Sequence, residues 1–359
     1  MSMWVVTVVS LGVLVWWLFF AGRHRFEFRP PSVRPSELRG GAVWTTVELR
    51  AIDGETIECW LVTPPVSRPP VVVMAPGLTG TKEGLLEAFA ERFADAGMAT
   101  LMLDFRTFGG SGGEPRHWVD PLRQIEDYQS AIALLRGDDR VDGSRIVLWG
   151  SSFSGSAAVC AAARDSGIKA VIAQVPYLGG TPVHAPSGLS IASYVALSIG
   201  EIFGDTIARV FGGRLPPVYI TTYGKPGDAT FSMSKDNPPQ KTSAEDLHLF
   251  WRSIPQSMRG GWENRMLVRG LQNLDKVSAK DELANVRCPV LLIGAAKDDM
   301  IAAKEIRTAA EQLSVPGSRY MELDCGHYAP YVTPVFEVNV SAQIEFILEV
   351  IGGKTPEPT

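Results

Sequence analysis

The chain has 359 residues, of which 45% are hydrophobic and 20% are charged, a balance typical of a globular protein with one large core. The formal net charge of −5 and the absence of a basic run argue against nucleic acid as a partner. The four cysteines are widely spaced without a C-x-x-C pair: Cys59, Cys160, Cys288 and Cys325. We expect reduced, structural thiols, and we predict no metal or cofactor site.

The N-terminus predicts a membrane anchor over residues 1–22. Residues 4–20 carry no charge and come close to the ~20 residues that a helix needs to cross a bilayer. A cleaved signal peptide is the alternative, but the first three residues contain no Lys or Arg, and Ala21 follows bulky residues. Basic residues follow the apolar run. The positive-inside rule therefore predicts a single-pass membrane protein whose body lies in the cytoplasm.

A polar linker at 23–42 precedes an α/β pattern. In segments 43–49 and 57–62, which flank an Asp-Gly turn, apolar and polar residues alternate. This pattern predicts an antiparallel hairpin at the edge of a sheet. Apolar strands and amphipathic helices then alternate: strands at 71–75, 99–103, 145–149 and 170–174, and helices at 85–96 and 120–135. This alternation predicts a mostly parallel central sheet with helices on both faces.

The alternation of predicted strands and helices stops at residues 176–287, and we interpret this segment as a helical cap or lid. Its segments 189–211 and 244–274 have helical composition, and three charged residues in the first argue against a second membrane span. Strands resume at 289–293 and 318–323, and a final helix is predicted at 340–351. The predicted core is therefore 43–175 and 288–351, followed by a disordered tail at 352–359.

The turn Gly150-Ser151-Ser152-Phe153-Ser154-Gly155 links a predicted strand to a predicted helix. This context gives a G-x-S-x-G motif its meaning, because a nucleophilic serine must project from a tight turn toward a base. We therefore choose Ser152 as the candidate nucleophile, with Ser154 replacing the last glycine. The literal match at 109–113, which contains Ser111, is not followed by a helix and predicts a glycine-rich loop.

A serine nucleophile needs a base and an acid that orients the base, in the chain order Ser, Asp, His on this topology. Of the five histidines, His327 alone sits on the turn directly after the last predicted strand. Asp298 is the favoured acid, because it follows the strand after the cap, and Asp299 is the alternative. The backbone N–H groups of Phe153 and Leu78 are the predicted donors of the oxyanion hole.

Three motifs, in this order, resemble the α/β-hydrolase superfamily: Pro76-Gly77, the 150–155 turn and Gly326-His327. The runs GTKE at 80–83, DFR at 104–106 and GGSGGEP at 109–115 are similar to a branch that contains dienelactone-hydrolase-like enzymes, polyketide transferases and thiohydrolases. The resemblance implies a serine acyl hydrolase with Ser152 as nucleophile, Asp298 as acid and His327 as base. Pro76 departs from the His often found in the oxyanion loop, and the N-terminal anchor is not general in this branch.

The leading hypothesis is a serine hydrolase that cleaves a carboxylic ester or thioester of a lipophilic acyl or aromatic substrate through an acyl-enzyme on Ser152. An acyltransferase using the same triad remains an alternative. A second alternative, from a different class, is a membrane-tethered binding protein with this fold and no catalysis. A serine at position 152 argues against the dehalogenases and epoxide hydrolases that use an aspartate nucleophile. Oligomeric state is left open by the sequence.

Overall fold

A computed structural model of the chain describes residues 39–179, 184–187, 219–220, 222, 230–232, 249–250, 252–253, 262–267, 270, 273–274 and 276–352. The predicted anchor at 1–22, most of the predicted linker, the predicted helix at 189–211 and the tail after residue 352 lie outside these residues. Within the described residues, no helix combines the length and the apolar composition of a membrane span.

Twelve strands are numbered in chain order across the described ranges. They are β1 (Val43–Arg50), β2 (Thr56–Thr63), β3 (Val71–Ala75), β4 (Ala99–Leu103), β5 (Ile146–Ser151), β6 (Ala170–Gln174), β7 (His184–Ser187), β8 (Tyr219–Ile220), β9 (Thr230–Ser232), β10 (Met266–Leu267), β11 (Val290–Ala295) and β12 (Arg319–Leu323). The α-helices whose bounds fall within the described residues are α1 (Leu86–Asp95), α2 (Pro121–Arg136), α3 (Phe153–Ala163), α4 (Ala279–Glu282), α5 (Ala303–Ala310) and α6 (Val335–Ile351).

Eight of these strands form one sheet in the order β1-β2-β4-β3-β5-β6-β11-β12. β1 and β2 form the predicted antiparallel hairpin at one edge, and β2 pairs antiparallel with β4. From β4 to β12 every neighbouring pair is parallel, which confirms the predicted mostly parallel sheet. The carboxyl ends of these parallel strands therefore meet at a single edge of the sheet, where the candidate site residues follow them.

Helices cover both faces of the sheet. All residues of β3, β4, β5, β6 and β11 are buried, as expected for strands that pack against helices on two sides. One apolar cluster contains side chains of α2, α3 and α5, including Ile125, Val159 and Ile306. The opposite cluster contains side chains of α1 and α6, including Phe89 and Val340. These two layers bury the central strands, whose carboxyl ends lead into the candidate site residues.

The described part of the predicted cap contains short antiparallel strand pairs. β7 pairs with β9, and β10 pairs with β8. The prediction that 244–274 is helical is therefore wrong at Met266 and Leu267, although residues 249–250 and 252–253 are helical. Leu267 N–H also donates to the carbonyl of His117 in the core, so tertiary pairing overrides the local pattern. The final helix begins at Val335, five residues before its predicted start. The boundaries of the cap stay a prediction.

Candidate active site

Ser152 lies in a strained turn between β5 and α3. Its backbone has φ of 55° and ψ of −119°, a region that non-glycine residues rarely adopt and that costs on the order of 1–3 kcal/mol. The turn needs a glycine at position 150, because a Cβ there would lie 2.3 Å from the carbonyl oxygen of Ser154. The Ser152 N–H donates to the carbonyl of Gln174 at 2.9 Å, which ties the turn to β6. The surrounding structure therefore maintains the strain at Ser152.

Ser154, which replaces the last glycine of the motif, links the turn to the neighbouring strand. Its hydroxyl accepts a hydrogen bond from the Ser151 N–H at 2.8 Å and donates to the carbonyl of Ala75 at 2.8 Å. Ala75 ends β3, and the loop that begins at Pro76 follows it directly. The departure from the motif thus adds a buried connection between the Ser152 turn and the end of β3, just before the loop with the predicted oxyanion donor Leu78.

Asp298 and His327 form a buried pair. The Nδ1 atom of His327 lies 2.6 Å from the Oδ2 atom of Asp298, and both residues are almost fully shielded from solvent. The Oδ1 atom of the same carboxylate accepts hydrogen bonds from the backbone N–H groups of Met300 and Ile301 at 2.8 and 2.9 Å. The carboxylate in contact with the imidazole is thus that of Asp298. Asp299, the alternative acid, is its buried neighbour.

The sheet topology brings the three candidate residues to one edge. Ser152 follows β5, Asp298 follows β11 and His327 follows β12, and these strands run parallel within a continuous set. The loops after β11 and β12 are joined by hydrogen bonds from Ala296 N–H to the Leu323 carbonyl and from Lys297 N–H to the Cys325 carbonyl. The acid and the histidine are therefore held on a shared backbone framework.

The loop after β3 passes close to Ser152. A Cβ at Gly77 would lie 3.3 Å from the Ser151 carbonyl oxygen and 3.3 Å from the Ser152 Cβ, so the two backbones approach closely. Leu78, the first predicted oxyanion donor, is the next residue and is buried. Phe153, the second, is the first residue of α3, where backbone N–H groups have no intrahelical acceptor. A developing negative charge is favoured at such a helix start.

Ser111, the serine of the literal G-x-S-x-G match, is fully buried and held by two hydrogen bonds. Its hydroxyl donates to the carbonyl of Asp104 at 2.7 Å and accepts from the N–H of Glu58 at 2.9 Å. The segment has no helix after it and joins the loop beyond β4 to β2. These contacts give Ser111 a structural role.

A buried ion cluster of Lys82, Glu58 and Asp104 was not predicted from the sequence. The Lys82 ammonium lies 2.6 Å from a Glu58 carboxylate oxygen, contacts the Asp104 carboxylate and sits 4.6 Å from the Trp60 ring centroid. The Lys82 N–H also donates to Asp104 at 2.7 Å. Burial opposes its charge, but the two carboxylates outweigh burial and raise the pKa of Lys82. The runs GTKE and DFR contain two of these residues, but their spacing alone does not show that they pair.

The chain is similar to known proteins over most of its length. A model of the alpha/beta hydrolase family matches residues 72–339. A thiohydrolase of Eupenicillium brefeldianum is 40% identical over 306 residues, which are 84% of this chain and 92% of that protein. Polyketide transferase ATR5 of Stachybotrys chlorohalonatus (strain IBT 40285) is 37% identical over 183 residues, 50% of this chain and 57% of that protein. The solved structure of DcsB with its substrate analogue has a TM-score of 0.70 at 27% identity, covering 86% of this chain and 100% of that chain.

These similarities confirm the resemblance predicted from the motifs. The family match begins in β3 and ends within α6, so it contains the Ser152 turn and both loops that hold Asp298 and His327. Relatives named for thiohydrolase and polyketide transferase activity indicate hydrolase or acyltransferase chemistry. The chain is an enzyme and belongs to the alpha/beta hydrolase family.

Proposed function

We propose that the enzyme cleaves a carboxylic ester or thioester through an acyl-enzyme on Ser152. The observation that carries the proposal is the buried hydrogen bond between Asp298 and His327, at the sheet edge where the strained Ser152 turn lies. An aspartate that accepts from Nδ1 keeps the Nε2 atom of a neutral histidine free to take a proton. A serine hydroxyl needs such a base, because it is a weak nucleophile at neutral pH.

The proposed reaction has two halves. In the first, Ser152 Oγ attacks the carbonyl carbon, His327 takes the hydroxyl proton, and the Leu78 and Phe153 N–H groups stabilise the oxyanion. The imidazolium then gives its proton to the leaving alcohol or thiol as the acyl bond breaks. In the second half, His327 takes a proton from the water that attacks the acyl-enzyme. The imidazolium then gives this proton to Ser152 Oγ as the acyl bond breaks and the acid leaves. Asp298 stabilises the imidazolium in both halves.

A lipophilic acyl or aromatic group is the proposed substrate class. The Phe153 ring stacks on Tyr177 at 5.7 Å beside the Ser152 turn. The Tyr328 ring lies 5.0 Å from the His327 ring and 5.5 Å from Phe250, a residue of the predicted cap. Aromatic side chains directly next to Ser152 and His327 support the proposal of an apolar acyl chain. The thiohydrolase relative favours a thioester over an oxygen ester.

Acyl transfer is the second candidate, and the polyketide transferase relative is the observation that favours it. Both reactions pass through the same acyl-enzyme and differ in whether water or another acceptor attacks it. We propose that the cap determines whether hydrolysis or acyl transfer occurs, because it admits either water or another acceptor to the acyl-enzyme. Product ratios with and without an added alcohol or thiol acceptor distinguish the two reactions.

We also propose that residues 4–20 anchor the enzyme to a membrane with its body in the cytoplasm. The uncharged run and the arginines that follow it support this proposal. The test compares the membrane fractions of the full chain and of a variant lacking residues 1–22 after carbonate extraction. Retention of the full chain alone supports an anchor, and release of both contradicts it.

The catalytic proposal is tested by turnover of matched oxygen esters and thioesters with an apolar acyl group. We expect Ser152→Ala to lower kcat by a factor on the order of 10⁴–10⁶. Ser111→Ala is the control, because it changes the serine of the literal motif while the folded protein keeps its turnover. Full activity of Ser152→Ala, or no turnover of any ester by the folded native chain, would overturn the proposal and favour a non-catalytic binding protein.

A further inference from the structure

We propose that a buried network of three side-chain amides, those of Gln174, Asn339 and Gln343, positions the candidate nucleophile and the candidate base relative to each other. We call it the amide network, and Gln174 and Asn339 are its centre. This inference rests on the proposed function, because it concerns the distance between Ser152 and His327. Neither amide touches the reacting atoms, so both are positioning residues. Their hydrogen bonds connect the Ser152 turn to the turn after His327.

Gln174 holds the nucleophile side of the site at two points. It is the last residue of β6 and lies opposite Ser151 in the sheet register. Its backbone carbonyl accepts from the Ser152 N–H at 2.9 Å, and its side-chain Nε2 donates to the Ser151 hydroxyl at 3.2 Å. A shift of Gln174 would therefore move the backbone that carries the Ser152 hydroxyl.

Asn339 holds the histidine side. Its Nδ2 group donates to Gln174 Oε1 at 2.6 Å and to the carbonyl of Pro330 at 3.1 Å. Pro330 belongs to the short 3-10 turn at Ala329–Tyr331, which begins two residues after His327. One amide group thus connects the strand behind Ser152 to the turn that follows His327.

Gln343 completes the hydrogen bonding of the amide network. Its Nε2 group donates to Gln174 Oε1 at 3.1 Å and to Asn339 Oδ1 at 2.9 Å, and its Oε1 atom accepts from the Trp149 indole N–H at 2.8 Å. All three amides are fully buried. A buried polar network with each member paired allows one arrangement, because any slip leaves a donor or acceptor unsatisfied.

The choice of amides at these positions favours a role beyond stability. Apolar side chains of the same shape can replace a buried polar pair at little cost in stability, whereas they impose no directional contact. Neutral amides also hold their geometry across pH and add no charge near His327. Displacement of a reacting group by about 1 Å can lower the rate on the order of 10²-fold, so a network that fixes the positions of Ser152 and His327 would increase the rate.

The test measures steady-state turnover of an ester substrate in variants that break the amide network. Gln174→Met and Asn339→Leu remove its two central amides, and Ser151→Ala removes only the hydroxyl that accepts from Gln174, a change small enough for folding. We expect about a tenfold or larger loss of kcat in the first two and a smaller loss in the third, with KM unchanged. Gln124→Met is the matched control, because it changes a buried amide of α2 that does not belong to the amide network.

The same proteins are reacted with a fluorophosphonate probe, whose second-order rate reports Ser152 activation without substrate binding. All measurements are made below the unfolding temperature of each variant, determined by circular dichroism. A loss of probe rate that parallels the loss of kcat, absent in Gln124→Met, supports positioning. Wild-type rates in folded Ser151→Ala and in the folded amide variants overturn it. A native protein that does not react with the probe contradicts the proposed function itself.

Discussion

His327 Nδ1 lies 2.6 Å from Asp298 Oδ2, and the second oxygen of that carboxylate accepts from two consecutive backbone amides, those of Met300 and Ile301. The backbone contacts fix the rotation of the carboxylate, so one oxygen points at the imidazole. This pairing assigns the roles of the two adjacent aspartates in the proposed mechanism. In that proposal Asp298 orients the base, and Asp299 is its buried neighbour in the same loop.

Asp298→Asn keeps the size of the side chain but can present an N–H to His327, which favours the wrong tautomer. We expect kcat to fall by a factor on the order of 10³–10⁴, with little change in KM. Steady-state turnover of the best ester checks this, and Asp299→Asn is the matched control. A larger loss in Asp299→Asn than in Asp298→Asn would exchange the proposed roles of the two aspartates.

Ser154→Ala should lower stability, because it leaves the Ser151 N–H and the Ala75 carbonyl buried without their shared partner. We expect the free energy of unfolding to fall by about 1–3 kcal/mol, measured by urea denaturation. Ser130→Ala removes a half-buried hydroxyl that donates within α2 and is the control. Equal stability of Ser154→Ala and the native protein would show that the replacement of glycine by serine has no structural value.

Lys82→Met should destabilise the fold strongly. The substitution leaves the Glu58 and Asp104 carboxylates close together without their cation, and loss of one partner from a buried ion group costs about 3–5 kcal/mol. Arg136→Met, which breaks the more exposed pair with Asp165, is the control and should cost less than about 1 kcal/mol. Similar unfolding free energies for the two variants would contradict the importance of the buried cluster.

His117 should make the fold sensitive to acid. Burial, followed by the positive charges of Arg265 and Arg116, lowers its pKa from 6.5 to about 3, although Glu263 lies 3.6 Å from its ring. Below pH 6.5 the unfolded chain therefore binds a proton that the folded chain does not, so stability falls as pH falls from 6.5 toward 3. The loss from this group reaches about 2 kcal/mol at pH 5.

His117→Asn tests this contribution, because asparagine tolerates the positive φ of 59° at this position. We expect the variant to lose about 2 kcal/mol less stability than the native protein between pH 7 and pH 5. Urea denaturation at pH 7, 6 and 5 measures the difference. Parallel losses in the two proteins would show that His117 takes up its proton in the folded state as well.

The central strands were predictable because they are short, largely apolar runs bounded by turn residues. Predicted strands at 71–75, 99–103 and 170–174 agree with the observed ones to the residue. Helix α5 was missed, since only Ile306 and Ala309 are buried in it and its apolar pattern is too short to detect. The strand at Met266–Leu267 was also missed, because its pairing with β8 is a long-range contact that local composition does not contain.

The candidate site was predictable where chain order and strand ends determine it. Ser152, Asp298 and His327 each follow a strand, so a parallel sheet gathers them. The supporting residues were not predictable in the same way. Gln174, Asn339 and Gln343 are ordinary polar residues in the sequence, and their connection depends on α6 packing against β6. Lys82 and Glu58 similarly meet only once β2 lies beside the loop after β3.

Mapping the site of covalent fluorophosphonate labelling tests most directly whether Ser152 is an activated nucleophile. The native protein, Ser152→Ala and Ser111→Ala are reacted with the probe, digested and analysed by mass spectrometry. We expect one adduct on the peptide that contains Ser152 in the native protein and in Ser111→Ala, and none in Ser152→Ala. An adduct on Ser111, or unchanged labelling of Ser152→Ala, would contradict the assignment of the nucleophile.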